Sequence, residues 1–241
     1  MPASTAHHPV RSGPGTTFER ITTDCQQEWT AYIQHEFVRQ LGAGTLPADA
    51  FQRYLRQDYL FLVHFARAWG LAVYKSRNIR ELRQGLDSLK TIVDIEMGLH
   101  IEYCATWGIT EDELAALPEA RATMAYTRYV LDAGQRGDLL DLHIALAPCL
   151  IGYADIAQWL QAQPFTVRDA DRNPYAAWIE MYASAEFQQA ARAEHLWLND
   201  RLAEVGPTRA AELTELFRDA TRLEIDFWQM GLQGEKQSHD N

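Results

Sequence analysis

Apolar residues recur at three- and four-residue intervals through nearly the whole chain. No stretch alternates apolar with polar, and no Asn-Gly or Asp-Gly hairpin signal occurs. The pattern therefore predicts an all-α chain. A first helix is expected from Phe18 to Arg39, ended by Gly42 and Gly44, and a second from Pro47 to Lys75. Asn78 is placed to cap a third, which runs to Trp107 and stops at Gly108. Thr110 followed by Glu113 reads as the capping box of a short helix. Helices follow over Glu119–Ala133 and Asp138–Gln161. Beyond a loop at Pro164–Arg172, the pair Asn173-Pro174 is expected to open another helix, interrupted near Ser184 and resuming to Ala203. Gly206-Pro207 precede the last, from Thr208 to Leu232. Long helices with short connections imply one bundle domain over residues 18–232.

The ends differ in kind. Residues 1–17 are rich in Pro, Gly, Ser and Thr and lack the apolar run of a signal peptide, and residues 233–241 are similarly polar, so both are expected to be disordered tails. The formal net charge of −11 over 241 residues opposes a nucleic-acid-binding surface or docking on an anionic membrane. Three cysteines, Cys25, Cys104 and Cys149, are an odd number without paired spacing, which fits a reducing cytoplasm better than a disulfide framework. No run approaches the roughly 18 uninterrupted apolar residues of a membrane helix.

The interior of a helical bundle is normally apolar, so polar groups on inward faces are the informative ones. Cys149 lies in the apolar run L-H-I-A-L-A-P-C-L-I-G-Y, with Tyr153 one turn on. Pro148 cannot donate the helical hydrogen bond, which frees the carbonyl of Ile144 and bends the helix. Such a thiol is either a small structural hydrophobe or a reactive group. Asp58 shares a face with Phe61, Leu62 and Phe65, and a buried carboxylate must find a partner helix or a ligand. Glu224 aligns with Phe227 and Trp228, the setting that raises a carboxyl pKa and makes a general acid. Glu96 and His100, four apart, could share a metal with Glu102, His64 or Glu224. Di-iron bundles use Glu-x-x-His, three apart, so a helix-pairing role is expected instead and no metal is assigned.

Taken together, the segments Gly42–Pro47, Gln57–Tyr59, Leu62–Ala66, Glu96–His100, Ala125–Thr127, Pro148–Tyr153, Trp178–Tyr182 and Glu224–Met230 resemble the TenA/thiaminase II family in order and spacing. The resemblance implies a haem-oxygenase-like helical bundle, usually a homotetramer, acting on thiamin or its aminomethyl pyrimidine breakdown product without a cofactor. It implies Cys149 as nucleophile, Glu224 as acid/base carboxyl and Asp58 as the group holding the pyrimidine amino group and ring nitrogen. Tyr126, Tyr153, Tyr182 and Phe227 match further pocket positions. Phe61 stands where the family usually has tyrosine, keeping an aromatic wall but losing a hydroxyl donor. Two rivals remain at this point: an oxidase on the same bundle, metal-dependent or metal-free, and a non-catalytic pyrimidine-binding or regulatory protein.

Overall fold

The apolar stripe expected to form one helix from Phe18 to Arg39 is divided into three: α1 (Phe18–Asp24), α2 (Gln26–Ile33) and α3 (Glu36–Ala43). The backbone leaves the helical region at Cys25 (φ −111°, ψ 22°) and again at Gln34 (φ −108°, ψ 21°). The imidazole of His35 then accepts the N–H of Phe37 and starts α3 afresh. Periodicity survives such breaks because each segment keeps its apolar side inward. The structure, a computed structural model, describes residues 15–233.

Beyond Gly44, whose φ of +71° closes α3 in the left-handed region, α4 (Ala48–Lys75) runs for 28 residues. Asn78 caps α5 (Ile79–Thr91), as expected, but a π turn over Ile92–Glu96 separates it from α6 (Met97–Ala105). The Thr110–Glu113 capping box opens α7 (Glu111–Ala115). Next come α8 (Arg121–Arg136) and α9 (Leu139–Ala147), then a second π turn over Pro148–Gly152 and α10 (Tyr153–Ala162). Asn173-Pro174 does not open a helix directly. The Asn173 amide donates to the carbonyls of Leu41 and Gly42, both at 3.2 Å, and α11 begins only at Ala176 and ends at Ala183. Asn173 thus ties the loop to the end of α3. Ser184 caps α12 (Ala185–Leu202), and α13 (Pro207–Gln233) completes the chain. Among the described residues there is no strand.

The bundle is organised on α4, which packs against α5, α8 and α13. Its aromatic centre is Trp228, stacked on Phe37 at 4.9 Å and leaning on Tyr54 at 5.1 Å. A second core, under α1, α12 and α13, gathers Phe18, Ile21, Leu198 and Phe217. The segment Leu139–Ala162 is long and apolar enough to cross a membrane, but 72% of its 18-residue apolar window is buried within the bundle. Of the expected tails, the Thr16 N–H donates to the Leu202 carbonyl at 3.1 Å and Thr17 caps α1. Residues 1–14 and 234–241 lie outside the described residues.

Candidate active site

Pro148 has no N–H to give to Ile144, and its ring crowds that carbonyl, so the helical ladder widens here into the π turn. The hydroxyl of Tyr32, on α2, donates to the Pro148 carbonyl at 3.1 Å and pins the widened turn. Gly152 makes this possible, because a Cβ there would stand 2.4 Å from the Tyr32 ring. Cys149, the second residue of the turn, is half-buried. Across from it the other π turn ends on Glu96, and both residues line one pocket together with Asp58, Tyr153 and Tyr182. Leu62, Phe65 and Phe187 supply apolar wall.

Asp58, 4% exposed, is fixed from two sides. Its Oδ2 accepts from the hydroxyl of Tyr54 at 3.1 Å, one turn back on α4, and lies 2.6 Å from Nε2 of His100. The other ring nitrogen of His100 lies 2.8 Å from the Glu96 carbonyl. With both nitrogens facing acceptors, the doubly protonated ring is the form that satisfies both. Burial works against that charge, but the hydrogen bond and charge of Asp58 outweigh it and hold the His100 pKa above its ordinary value. Trp178 extends the chain, its Nε1 donating to the Tyr54 hydroxyl at 3.3 Å.

Glu224 is 2% exposed on α13 and accepts from the Tyr126 hydroxyl at 3.0 Å. Burial lifts its carboxyl from an ordinary 4.5 to about 8, with the hydrogen bond from Tyr126 opposing the rise and the charge of Asp58 adding to it. The Cys149 thiol is pushed well above its usual range, first by burial and then by the negative charges of Glu224, Glu96 and Asp58. Glu96 is raised to about 7 by burial, the charge of His100 moderating the rise and that of Asp58 adding to it. The site therefore holds a protonated thiol beside two carboxyls poised to exchange protons near neutrality.

Of the residues singled out in the sequence, Asp58, Cys149, Tyr153 and Tyr182 line the pocket. Phe61, Tyr126 and Phe227 form an aromatic cluster with Phe61 central, 5.0 Å from Tyr126 and 5.8 Å from Phe227, and through Tyr126 this cluster carries Glu224. His100 is the partner of Asp58. His64 pairs with Glu119 at 2.9 Å beside Arg128, and Glu102 is exposed. Among the described residues no three His, Cys, Asp or Glu side chains converge as a metal cage requires. Tyr54 and Tyr32 carry no expectation from the sequence, and Trp178 enters there only as the first residue of the segment Trp178–Tyr182. Tyr54 had a signal, four residues before Asp58 on one face, whereas Tyr32 reaches the site from a separate helix and had none.

The described residues thus form a helical bundle with a half-buried thiol, a titratable carboxyl and a clamped aspartate on one core pocket, and a second titratable carboxyl, Glu224, held by the adjoining aromatic cluster. The profile of the TENA/THI-4/PQQC family matches residues 23–234, and the chain belongs to that family. It is 35% identical over 205 residues to the aminopyrimidine aminohydrolase of Halalkalibacterium halodurans, covering 85% of this chain and 90% of that one. The crystal structure of a TenA family transcription regulator from Silicibacter sp. TM1040 superposes with a TM-score of 0.84 at 42% identity, over 91% of this chain and 97% of the other. A domain of unknown function with a haem-oxygenase-like fold from Shewanella denitrificans OS217 matches with a TM-score of 0.66 at 13% identity, over 94% and 99% of the two chains. The fold is the haem-oxygenase-like bundle.

Proposed function

We propose that this protein is an aminopyrimidine aminohydrolase of the thiaminase II type, replacing the amine of 4-amino-5-aminomethyl-2-methylpyrimidine by hydroxyl and also cleaving thiamin, in thiamin salvage. The observation that carries the reading is the placement of Cys149 and Asp58 on one pocket, with Glu224 the first charged influence on the thiol. The relative from Halalkalibacterium halodurans supports the same activity.

Asp58, held by His100 and Tyr54, accepts from the ring's amino group and orients the ring. The Cys149 sulfur bonds to C6 as its S–H bond breaks, and the displaced ring electron pair moves to N1. Glu224 takes up the thiol proton and delivers a proton to N1, a role suited to a carboxyl with a pKa of about 8. With aromaticity lost, the amine (or the thiazole of thiamin) departs with the C–N electron pair, leaving an exocyclic methylene to which water adds. The S–C6 bond then breaks, and the N1 proton returns to sulfur through Glu224. Tyr153 and Tyr182 flank the ring, and the cluster of Phe61, Tyr126 and Phe227 backs Glu224. No step calls on a cofactor or metal.

The chain works as a homotetramer in the cytoplasm on this reading. Its three cysteines are free, and Ile79, Leu82 and Leu86 leave α5 with an exposed apolar stripe suited to contact between copies. Following ammonia release from the aminomethyl pyrimidine by wild type tests the activity directly. Release at enzymatic rates is expected, and no release from it and no cleavage of thiamin contradict the reading.

A further inference from the structure

The ring chemistry above accounts for Asp58, Cys149 and Glu224 but leaves the second carboxyl of the pocket without a task. Glu96 enters as the last residue of one π turn, facing the Cys149 π turn across the pocket. Such turns cost helical hydrogen bonding and recur at functional sites. Two of them lining the same pocket, one through Glu96 and the other through Cys149 and Leu150, point to the two reactive side chains, Glu96 and Cys149, being used.

The state of Glu96 differs from that of the other carboxyls. Asp58 is bonded to Tyr54 and His100, and Glu224 to Tyr126. Among the described residues, the Glu96 carboxyl joins no hydrogen bond or ion pair. Only its backbone carbonyl is engaged, by His100. It is half-buried, faces the pocket and carries a pKa of about 7. Its position relative to the substrate follows from the ring. If Asp58 holds the 4-amino group and N3, Glu224 serves N1 and Cys149 reaches C6, the inert 2-methyl group lies between the Asp58 and Glu224 edges and the reacting aminomethyl group on C5 lies between the Asp58 and Cys149 edges. Glu96 is the remaining carboxyl on the pocket those two residues line.

Resting on the hydrolase reading, we infer that Glu96 is the acid that protonates the departing amine and then the base that receives the proton of the incoming water. The protonated Glu96 carboxyl gives its proton to the aminomethyl nitrogen. The C–N bond breaks and its electron pair leaves with nitrogen as ammonia, while the C4–C5 π pair forms the exocyclic C5=CH2 bond and the 4-amino lone pair takes its place as C4=N. Water oxygen bonds to that methylene, and its surplus proton restores the Glu96 carboxyl. The residue ends as it began. Thiamin has a different need. Its thiazolium already carries positive charge and departs as a neutral thiazole with no proton required from the protein, and the surplus proton of the water that then adds is released to solvent. Glu96 therefore selects for an amine leaving group.

The test compares wild type and Glu96→Gln on the aminomethyl pyrimidine and, separately, on thiamin. The ratio of ammonia release to thiazole release is expected to fall by about 100-fold or more in the variant, the size of effect a positioned acid supplies. Glu96→Asp, keeping the carboxyl on a shorter arm, is expected to recover part of that ratio, and Glu96→Gln to bind the hydroxymethyl pyrimidine product as wild type does. An equal fall on both substrates, or no fall on either, overturns the assignment while leaving the hydrolase reading in place. Wild type inert toward both substrates overturns the hydrolase reading and this assignment with it.

Discussion

Nε2 of His100 lies 2.6 Å from Oδ2 of Asp58, and both side chains are almost fully buried, at 2% and 5% exposure. A buried carboxylate is costly unless it is paired and hydrogen-bonded. Here a neighbouring helix supplies the partner, and its other ring nitrogen is anchored to the Glu96 carbonyl. The arrangement fixes the orientation of the one group proposed to read the pyrimidine's amino edge.

Removing either member of this pair is therefore expected to weaken ligand binding. Asp58→Ala should lower affinity for the hydroxymethyl pyrimidine by about 10-fold or more, and His100→Ala, which frees the carboxylate to turn, by a smaller factor. Calorimetric titration checks both. Unchanged affinity in Asp58→Ala contradicts its role as the ring-holding group.

Stability should decline as pH rises through the neutral range. Glu224 rises from 4.5 to about 8 on folding and Glu96 from 4.5 to about 7, and the His100 pKa is also raised. A group whose pKa is raised in the folded state binds its proton more tightly there. Its contribution is full below the unfolded value and is lost as pH passes the folded one. For the two carboxyls the window runs from 4.5 to about 7 and to about 8. Glu224→Gln, which cannot ionise, should melt above wild type at pH 9, by about 5 °C, and match it near pH 5. A wild-type melting temperature flat from pH 5 to pH 9, with no gain in the variant, contradicts the assigned burial of charge.

The thiol should be slow to react in the empty protein. Burial and three nearby acidic side chains keep Cys149 protonated well above its usual range. Alkylation of Cys149 by iodoacetamide at pH 8 is expected to run about 10-fold or more slower than that of a free cysteine, and to speed up in Glu224→Gln. Labelling followed by peptide mass spectrometry reads this out. Rapid labelling of wild type Cys149 contradicts it.

The π turn should depend on a missing side chain. Gly152→Ala places a Cβ against the Tyr32 ring and is expected to cost about 1–3 kcal/mol. Tyr32→Phe, which removes the hydrogen bond to the Pro148 carbonyl, should cost about 0.5–1.5 kcal/mol. Urea unfolding of both variants tests this, and wild-type stability in Gly152→Ala contradicts the close approach.

How much was legible in the sequence varied with the range of the interaction. Helices fixed by local signals stood close to where they were expected. The Asn78 cap, the Thr110–Glu113 box and the break at Ser184 each depend on hydrogen bonds spanning three residues. The breaks at Cys25 and Gln34 were hidden because apolar periodicity continues across them. Pro148 announced a distorted helix, but the π turn at Ile92–Glu96 contains neither Pro nor Gly and gave no sign. Within the site, Asp58, Cys149 and Glu224 stood out as reactive groups in apolar surroundings. The pairing of His100 with Asp58 is a contact across 42 residues, and the Tyr32 contact with Pro148 spans 116. Such pairings are set by how helices pack, which no single helix encodes.

The most direct measurement is ammonia release from 4-amino-5-aminomethyl-2-methylpyrimidine by wild type and Cys149→Ala, alongside product binding by the variant. Release by wild type alone, with Cys149→Ala still binding the hydroxymethyl pyrimidine, is the predicted result. Near-normal turnover by Cys149→Ala, or no release from wild type with thiamin also untouched, contradicts covalent hydrolysis by Cys149.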